Sequence, residues 1–411
     1  MRTLSLEISP RPALRRIADA LRVTLRPDTP ARARDTALRT GRLEVPVIAR
    51  TREMAEITRH FEQGRHMARQ EEWGALGALI RACDRRRAQS AGGLPVAEIL
   101  ASGARSDVVD AGIAAARRGD ADGSLKPLGE LEQVLEELCC DHGVALVVAL
   151  AHVDIGHAWR GEAAWAKVPS TNRAAFHAHF RAARRIVDAH DPFECDAPSL
   201  AAVRCALLAA DRRPAARVAD DYEDLVDLDP TTPRHMRALG THLLPRWFGS
   251  YGALDLEARR TAARTADIWG AGAYAWVYLD ALAVDPGASA LVDPEFLVAG
   301  LYDILERRPE QHVVNMLAAF TGFTLCSGPD AHPAERRVAG AFDWILRDRL
   351  LEVHPMVWAA AHARVGTPTE GCAAERGKAR ALSTLAQHFA AELGNGQDVA
   401  LTPSGWQIGG R

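Results

Sequence analysis

The run Asp220-Asp221-Tyr222-Glu223-Asp224 gathers four carboxylates within five residues. On a helix Asp220 and Asp224 share a face, and their hard oxygens suit Mg²⁺. Asp220, Asp221 and Asp224 are therefore a candidate metal site. The competing reading is a solvated acidic face at the polar end of a helix, just ahead of Asp227 and Asp229, and the sequence favours it. His152, Asp154 and His157 form a second group. At 100° per residue the two histidines point about 140° apart, so one helix cannot bring both to one ion. His177 and His179 fail in the same way, and the H-E-x-x-H spacing is missing. These histidines are expected to be packing residues. Cys139-Cys140-Asp141-His142 lacks the C-x-x-C spacing of redox and zinc sites, and Cys195 and Cys205 do not supply a second half. Buried, inert cysteine is the expectation.

No G-x-S-x-G, Walker A or strand-linked G-x-G-x-x-G occurs, and the residues call for no cofactor. Gly270-Ala271-Gly272-Ala273 opens a helix with no strand before it, which suits tight helix packing better than a phosphate cradle. Aromatic residues offer the remaining candidate. Trp269, Tyr274, Trp276 and Tyr278 fall on one helix and cannot all face the same way. Some must be core, and the others, with Arg246 and Trp247 nearby, suit a partner-binding hot spot.

The elements that must position these groups are helices. Alanine abounds, and β-branched runs with strict alternation are almost absent. Residues 53–69 and 71–84 read as two helices, with Trp73, Leu76, Leu79 and Ile80 on one stripe. Leu131, Val134, Leu135 and Leu138 repeat at helical spacing. Residues 144–160 carry strand-type residues, but the run is too long for a strand and reads as helix. The expected organisation is an Arg/Pro-rich arm over 1–45, a helical region over 46–123, helical repeats over 124–366, and a C-terminal helix and tail over 367–411. The boundary near 123 rests on the linker-like Gly119–Ser124.

A repeat underlies that third region. Asp191-Pro192, Asp229-Pro230 and Asp267 fall 38 residues apart, twice over. Each precedes an amphipathic helix, lined by Leu200, Val203, Leu207 and Leu208, then by Met236, Leu239 and Leu243, then by Tyr274, Val277 and Tyr278. A fourth copy begins near Pro309, with Val313, Met316, Leu317 and Phe320. Such a period is what stacked helix pairs produce.

Leu228-Asp229-Pro230-Thr231-Thr232-Pro233-Arg234-His235-Met236-Arg237-Ala238-Leu239-Gly240 resembles the junction of tetratricopeptide repeats, where a helix ends in Leu-Asp-Pro and the next carries a Leu-Gly pair. The resemblance implies an all-α helical-repeat architecture, an open solenoid or a closed toroid, and no partner; a protein or peptide partner is expected only because solenoids of this sort bind one on their surface. Pro245-Arg246-Trp247-Phe248-Gly249-Ser250 is similar to a Pro-Arg-Trp-Gly-Gly-Ser segment of uncharacterised bacterial helical proteins, with Phe248 at the first glycine; Ala151–Trp159 shares this likeness. Asp220–Asp224 has the DDxxD spacing with which isoprenoid synthases hold Mg²⁺ and diphosphate, without their second metal-binding helix.

Charge narrows the function classes. The net charge is −3, and the cations are dispersed among carboxylates, which gives no case for nucleic acid. Lys126, Lys167 and Lys378 are the only lysines; that arginine bias suits a GC-rich bacterial genome. No stretch approaches the ~20 apolar residues that span a bilayer, and no signal-peptide core follows Met1. Seven cysteines without such a signal suit a reducing cytoplasm. Three readings follow: an interaction scaffold with no chemistry of its own, a Mg²⁺-dependent helical enzyme using Asp220–Asp224, and a fixed subunit of an assembly. The scaffold is favoured because the repeat is visible and a catalytic set is not.

Overall fold

The computed structural model describes residues 41–325, 331–362 and 372–409. The Arg/Pro-rich arm expected over 1–45 lies outside the described residues as far as residue 40. Helices dominate, and one small sheet accompanies them. Two compact units divide the described chain: residues 55–235, and residues 236 onward together with 41–54.

The first unit holds nearly all of α1 (Arg52–Arg69), then α2 (Trp73–Arg85), α3 (Val96–Ala104), α4 (Ser106–Arg118), α5 (Ala121–Glu137), α6 (His142–Arg160), α7 (Ser170–Asp188), α8 (Pro198–Ala206) and α9 (Val218–Leu228), and the start of α10 (Pro233–His242). Its hub is α6, which packs on α2, α3, α4, α5, α7 and α8. The strand-like run Val144–Val148 is thus helix, as its length requires, and it is buried on all sides. A helix that is apolar all round belongs in a core, and each buried Val or Leu contributes about 1.5–3 kcal/mol. Asp141 starts α6 by accepting from the backbone N–H groups of Gly143 and Val144 at 2.9 and 3.2 Å. Residues Gly119–Ser124 end one helix and begin another. Gly119, at φ +72°, closes α4, and Asp120 caps α5 by accepting from the Gly123 N–H. Two glycines let α1 and α3 cross closely: a Cβ on Gly64 would meet the Leu100 carbonyl, and one on Gly103 the Phe61 carbonyl.

In the second unit α10 is followed by α11 (Tyr251–Arg264), α12 (Ala266–Trp269), α13 (Gly272–Val284), α14 (Pro294–Arg307), α15 (Gln311–Ala319), α16 (Pro333–Ala339), α17 (Ala341–Asp348), α18 (Pro355–Ala360), α19 (Ala373–His388) and α20 (Ala390–Gly394). Here α13 takes the central place, packed on α11 and α14 and buried around nearly its whole circumference. Asn315 on α15 is fully buried, with every hydrogen-bonding group engaged. Its amide donates to the carbonyls of Gln311 and Glu352, and its oxygen accepts from the His354 N–H and the Trp358 indole. The tail expected after residue 367 ends in strands. β1 (Leu43–Glu44) runs parallel to β2 (Asp398–Thr402), and β2 turns back into β3 (Gly405–Gly409) through Pro403-Ser404. The two-residue turn and the alternating burial of Val399 and Leu401 are ordinary hairpin signals.

The helices expected from the 38-residue spacing occur, as α8, α10, α13 and α15. The apolar residues assigned to them are buried, apart from Met316, which is half-buried. Polar contacts between helices have no single spacing: Arg69 pairs with Asp107 and Gln311 donates to the Arg349 carbonyl 38 residues apart, whereas Arg337 pairs with Glu295 at 42 and Arg237 with Asp280 at 43.

Candidate functional site

The acidic run opens α9, and the helix divides it. Asp220 is exposed, Asp221 is buried, and Asp224 is half-buried. Asp221 is held between two guanidinium groups, with Arg217 Nη2 at 2.9 Å and Arg204 Nη2 at 3.3 Å, and Arg204 also reaches Asp224 at 3.7 Å. Burial raises the Asp224 carboxyl above its ordinary range, Arg204 opposes that shift, and the neighbouring carboxylates reinforce it. The helix thus separates the three carboxylates of the Mg²⁺ reading. Adjacent residues diverge by 100° on a helix, so Asp221 turns inward to the arginines while Asp220 faces water. Among the described residues no three His, Cys, Asp or Glu side chains converge to hold an ion.

The aromatic group also departs from expectation. Trp269, Tyr274, Trp276 and Tyr278 are all at most 3% exposed, so none of the four lies on a surface. Trp269 ends α12, so the four do not share one helix as expected; Tyr274, Trp276 and Tyr278 diverge on α13, and each of their directions is core. Tyr274 and Tyr278 both donate to the Asp255 carboxylate on α11, at 2.8 and 3.2 Å. The Tyr274 oxygen accepts from the Asp293 N–H, its ring stacks on Phe296, and Arg259 lies over it. Burial, reinforced by Asp255, raises both phenols well above their ordinary value. Just ahead of this helix, Ala271 N–H donates to Asp303 at 2.7 Å and a Cβ on Gly300 would meet the Ala271 carbonyl. Gly270–Ala273 is thus a packing contact whose N–H is already taken by a carboxylate.

Arg246 and Trp247 have a different setting. After α10 ends at His242, the chain turns tightly. Trp247 N–H donates to the Leu244 carbonyl and Phe248 N–H to that of His242, at 2.9 and 3.0 Å. The rings of His242, Trp247 and Phe248 cluster within 6.4 Å of one another. Ser250 then caps α11 by accepting from Ala253 N–H. Arg246 is exposed, and Trp247 and Phe248 are half-buried. The guanidinium reaches the carbonyl of Val284, the last residue of α13, at 3.5 Å. A cation there suits the negative end of the helix.

Sequence reasoning placed His152 and His179 as packing residues, which their burial matches, but missed the partners of the buried polar groups of the first unit. His152 on α6 and His179 on α7 approach with their Nδ1 atoms 3.1 Å apart, and His152 Nε2–H donates to Glu132 on α5 at 3.0 Å. With that tautomer, His152 Nδ1 is an acceptor and His179 Nδ1–H the donor. Burial, with His152 beside it, pushes His179 down to about 4, against the pull of Glu132. Asp154 accepts from buried Arg105 Nε at 2.8 Å. Asp84 on α2 accepts from Ser199 N–H and Oγ–H at the start of α8, serving as a cap from another helix, and burial lifts it to about 6 despite those bonds. Asp229 accepts from the Thr231 and Thr232 hydroxyls and faces His235. Burial pushes its pKa up, but these contacts outweigh it and hold the carboxyl at about 2. A signal was present: His152 and Asp154 interrupt an otherwise apolar helix, and buried polar groups require partners.

The cysteines divide as well. Cys83 and Cys205 are buried, and the Cys205 thiol donates to the Asp221 carbonyl. Cys139 and Cys140 are exposed, which corrects the buried, inert reading for this pair. They occupy the turn between α5 and α6, where no helix covers them.

No protein-family profile matches the chain, and neither a curated protein nor a solved structure matches it. Among the described residues no helix is long and apolar enough to cross a membrane.

Proposed function

We propose that the chain is an α/α-repeat scaffold that binds a protein or peptide partner at the Pro245–Ser250 corner, with no chemistry of its own. One observation carries this reading. Of the six residues suited by type to partner binding, Arg246 and Trp247 are the two left accessible, beside half-buried Phe248. Arg and Trp are the residue types enriched among interface hot spots, and a half-buried indole gives a rigid anchor that loses little entropy on binding. The tetratricopeptide-like repeat is supported by buried helices at the expected spacing.

The test is capture from a lysate of the native source with the tagged chain, in parallel with Arg246→Glu and Trp247→Ala. A protein retained by the native chain should bind each variant roughly 30-fold more weakly, the loss of a ~2 kcal/mol hot spot. Equal retention by all three, with melting temperatures unchanged, would place the contact elsewhere and refute the assignment.

A further inference from the structure

We propose that Cys139 and Cys140 form a chelating dithiol for monosubstituted trivalent arsenicals. Both thiols are exposed, and their sulfur atoms stand 3.7 Å apart. The turn that presents them is fixed from both sides. Asp141 N–H donates to the Leu138 carbonyl at 2.8 Å, which places the two cysteines at the centre of a four-residue turn. Asp141 in turn caps α6 and is ion-paired with Arg81 on α2. The thiols are therefore held side by side before any ligand arrives, and little further ordering is needed to engage both.

The same spacing argues against closure as a disulfide. Neighbouring Cα atoms stand about 3.8 Å apart across a trans peptide, short of the ~4.4–6.8 Å that disulfides usually span. A bond between adjacent cysteines is strained and easily reduced, which leaves the pair as free thiols. Coordination number then selects the ligand. A structural zinc ion needs about four protein ligands, and among the described residues no third His, Cys, Asp or Glu joins this pair. A trivalent arsenic already bonded to one carbon needs two sulfurs and nothing more. The step balances without an oxidant or reductant. Each As–OH of R–As(OH)₂ meets one S–H, an As–S bond forms, and one water leaves; two such exchanges close the ring, and arsenic remains trivalent.

Phenylarsine oxide is the probe. The native full-length chain is treated with one equivalent, washed with excess 2-mercaptoethanol, and weighed intact. One C₆H₅As group in place of two hydrogens should survive this wash and be removed by 1,2-ethanedithiol, because a monothiol cannot match the effective concentration of a second thiol on the same ring. Cys139→Ser and Cys140→Ser should each lose the adduct to the monothiol, and Cys195→Ser should keep it. Cys139 and Cys140 are exposed turn sites, so these two variants should melt with the native chain, and that measurement accompanies the weighing. Loss of the adduct from the native chain in the monothiol wash, or its retention by either single variant of the pair, would overturn the proposal.

Discussion

Replacing His179 with asparagine should remove much of the acid sensitivity of the first unit. In the folded chain burial holds this imidazole at about 4, whereas an unfolded histidine titrates near 6.5. The folded value is depressed, so protonation favours the unfolded chain. Stability is fully present above about pH 6.5 and is lost as pH falls towards 4, because there the unfolded state binds a proton that the native state refuses. At pH 4.5 the linkage amounts to roughly 2.5 kcal/mol. Asparagine keeps a donor near the position of Nδ1, facing His152 on α6, and cannot titrate. It leaves a small cavity, whose cost is the same at every pH. The assay is urea denaturation at pH 7 and pH 4.5, with hydrogen exchange read by mass spectrometry over peptides from α6 and α7, so that the first unit reports by itself. Between the two pH values the native chain should lose roughly 2–3 kcal/mol more than the variant. Asp84 and Asp229 titrate alike in both proteins and cancel in the difference. Parallel losses would mean that His179 takes up its proton without penalty, and the argument from burial would fail.

Asp229→Asn should cost about 2 kcal/mol at pH 7, because the carboxylate held at about 2 supplies stability above its unfolded value near 4. That stability is lost as pH falls through about 2, so denaturation curves of native and variant chains should converge on acidification. Gly240→Ala should destabilise the second unit by at least about 1–3 kcal/mol, since the new Cβ would meet the Val277 carbonyl; thermal melting measures it. Trp276→Ala should cost about 3–5 kcal/mol as a core truncation, while Trp247→Ala at its half-buried corner should cost much less. Equal losses for the two tryptophans would contradict their separate placement.

Much of the helical framework was legible in the residues, and the reason is periodicity. Leu200, Met236, Tyr274 and Val313 recur on helices because apolar side chains at helical spacing have one efficient way to be buried. The strand-like Val144–Val148 was resolved by run length alone. Orientation within a fully enclosed helix was not legible. A sequence shows that Tyr274, Trp276 and Tyr278 point in different directions, but whether each direction is solvent or core depends on neighbours distant in the chain. The setting of Asp221 was not legible for a related reason, because Arg204 and Arg217, not solvent, answer it. The His152–His179 contact joins two helices, and considering each helix alone could exclude a shared ion but could not reveal the pairing. Cys139 and Cys140 were misjudged because cysteine is most often buried, and a turn between two helices is where that tendency is weakest.

The parallel pairing of Leu43–Glu44 with Val399–Ala400 bears on the order in which the chain can mature during synthesis. All elements of the first unit that follow residue 55 have been made once residue 235 is added, so that unit can settle while the remainder is being translated. The strand at 43–44 has no such opportunity. Its partner is synthesised some 350 residues later, an interval of roughly 20–70 s at bacterial to eukaryotic elongation rates. Throughout that time the ladder groups of Leu43 and Glu44 stand without the strand that satisfies them, and the second unit cannot close its sheet until residues 398–409 are in place. A stop codon shortly before Asp398 would therefore leave the early segment without its strand partner, although every helix of the second unit had been made.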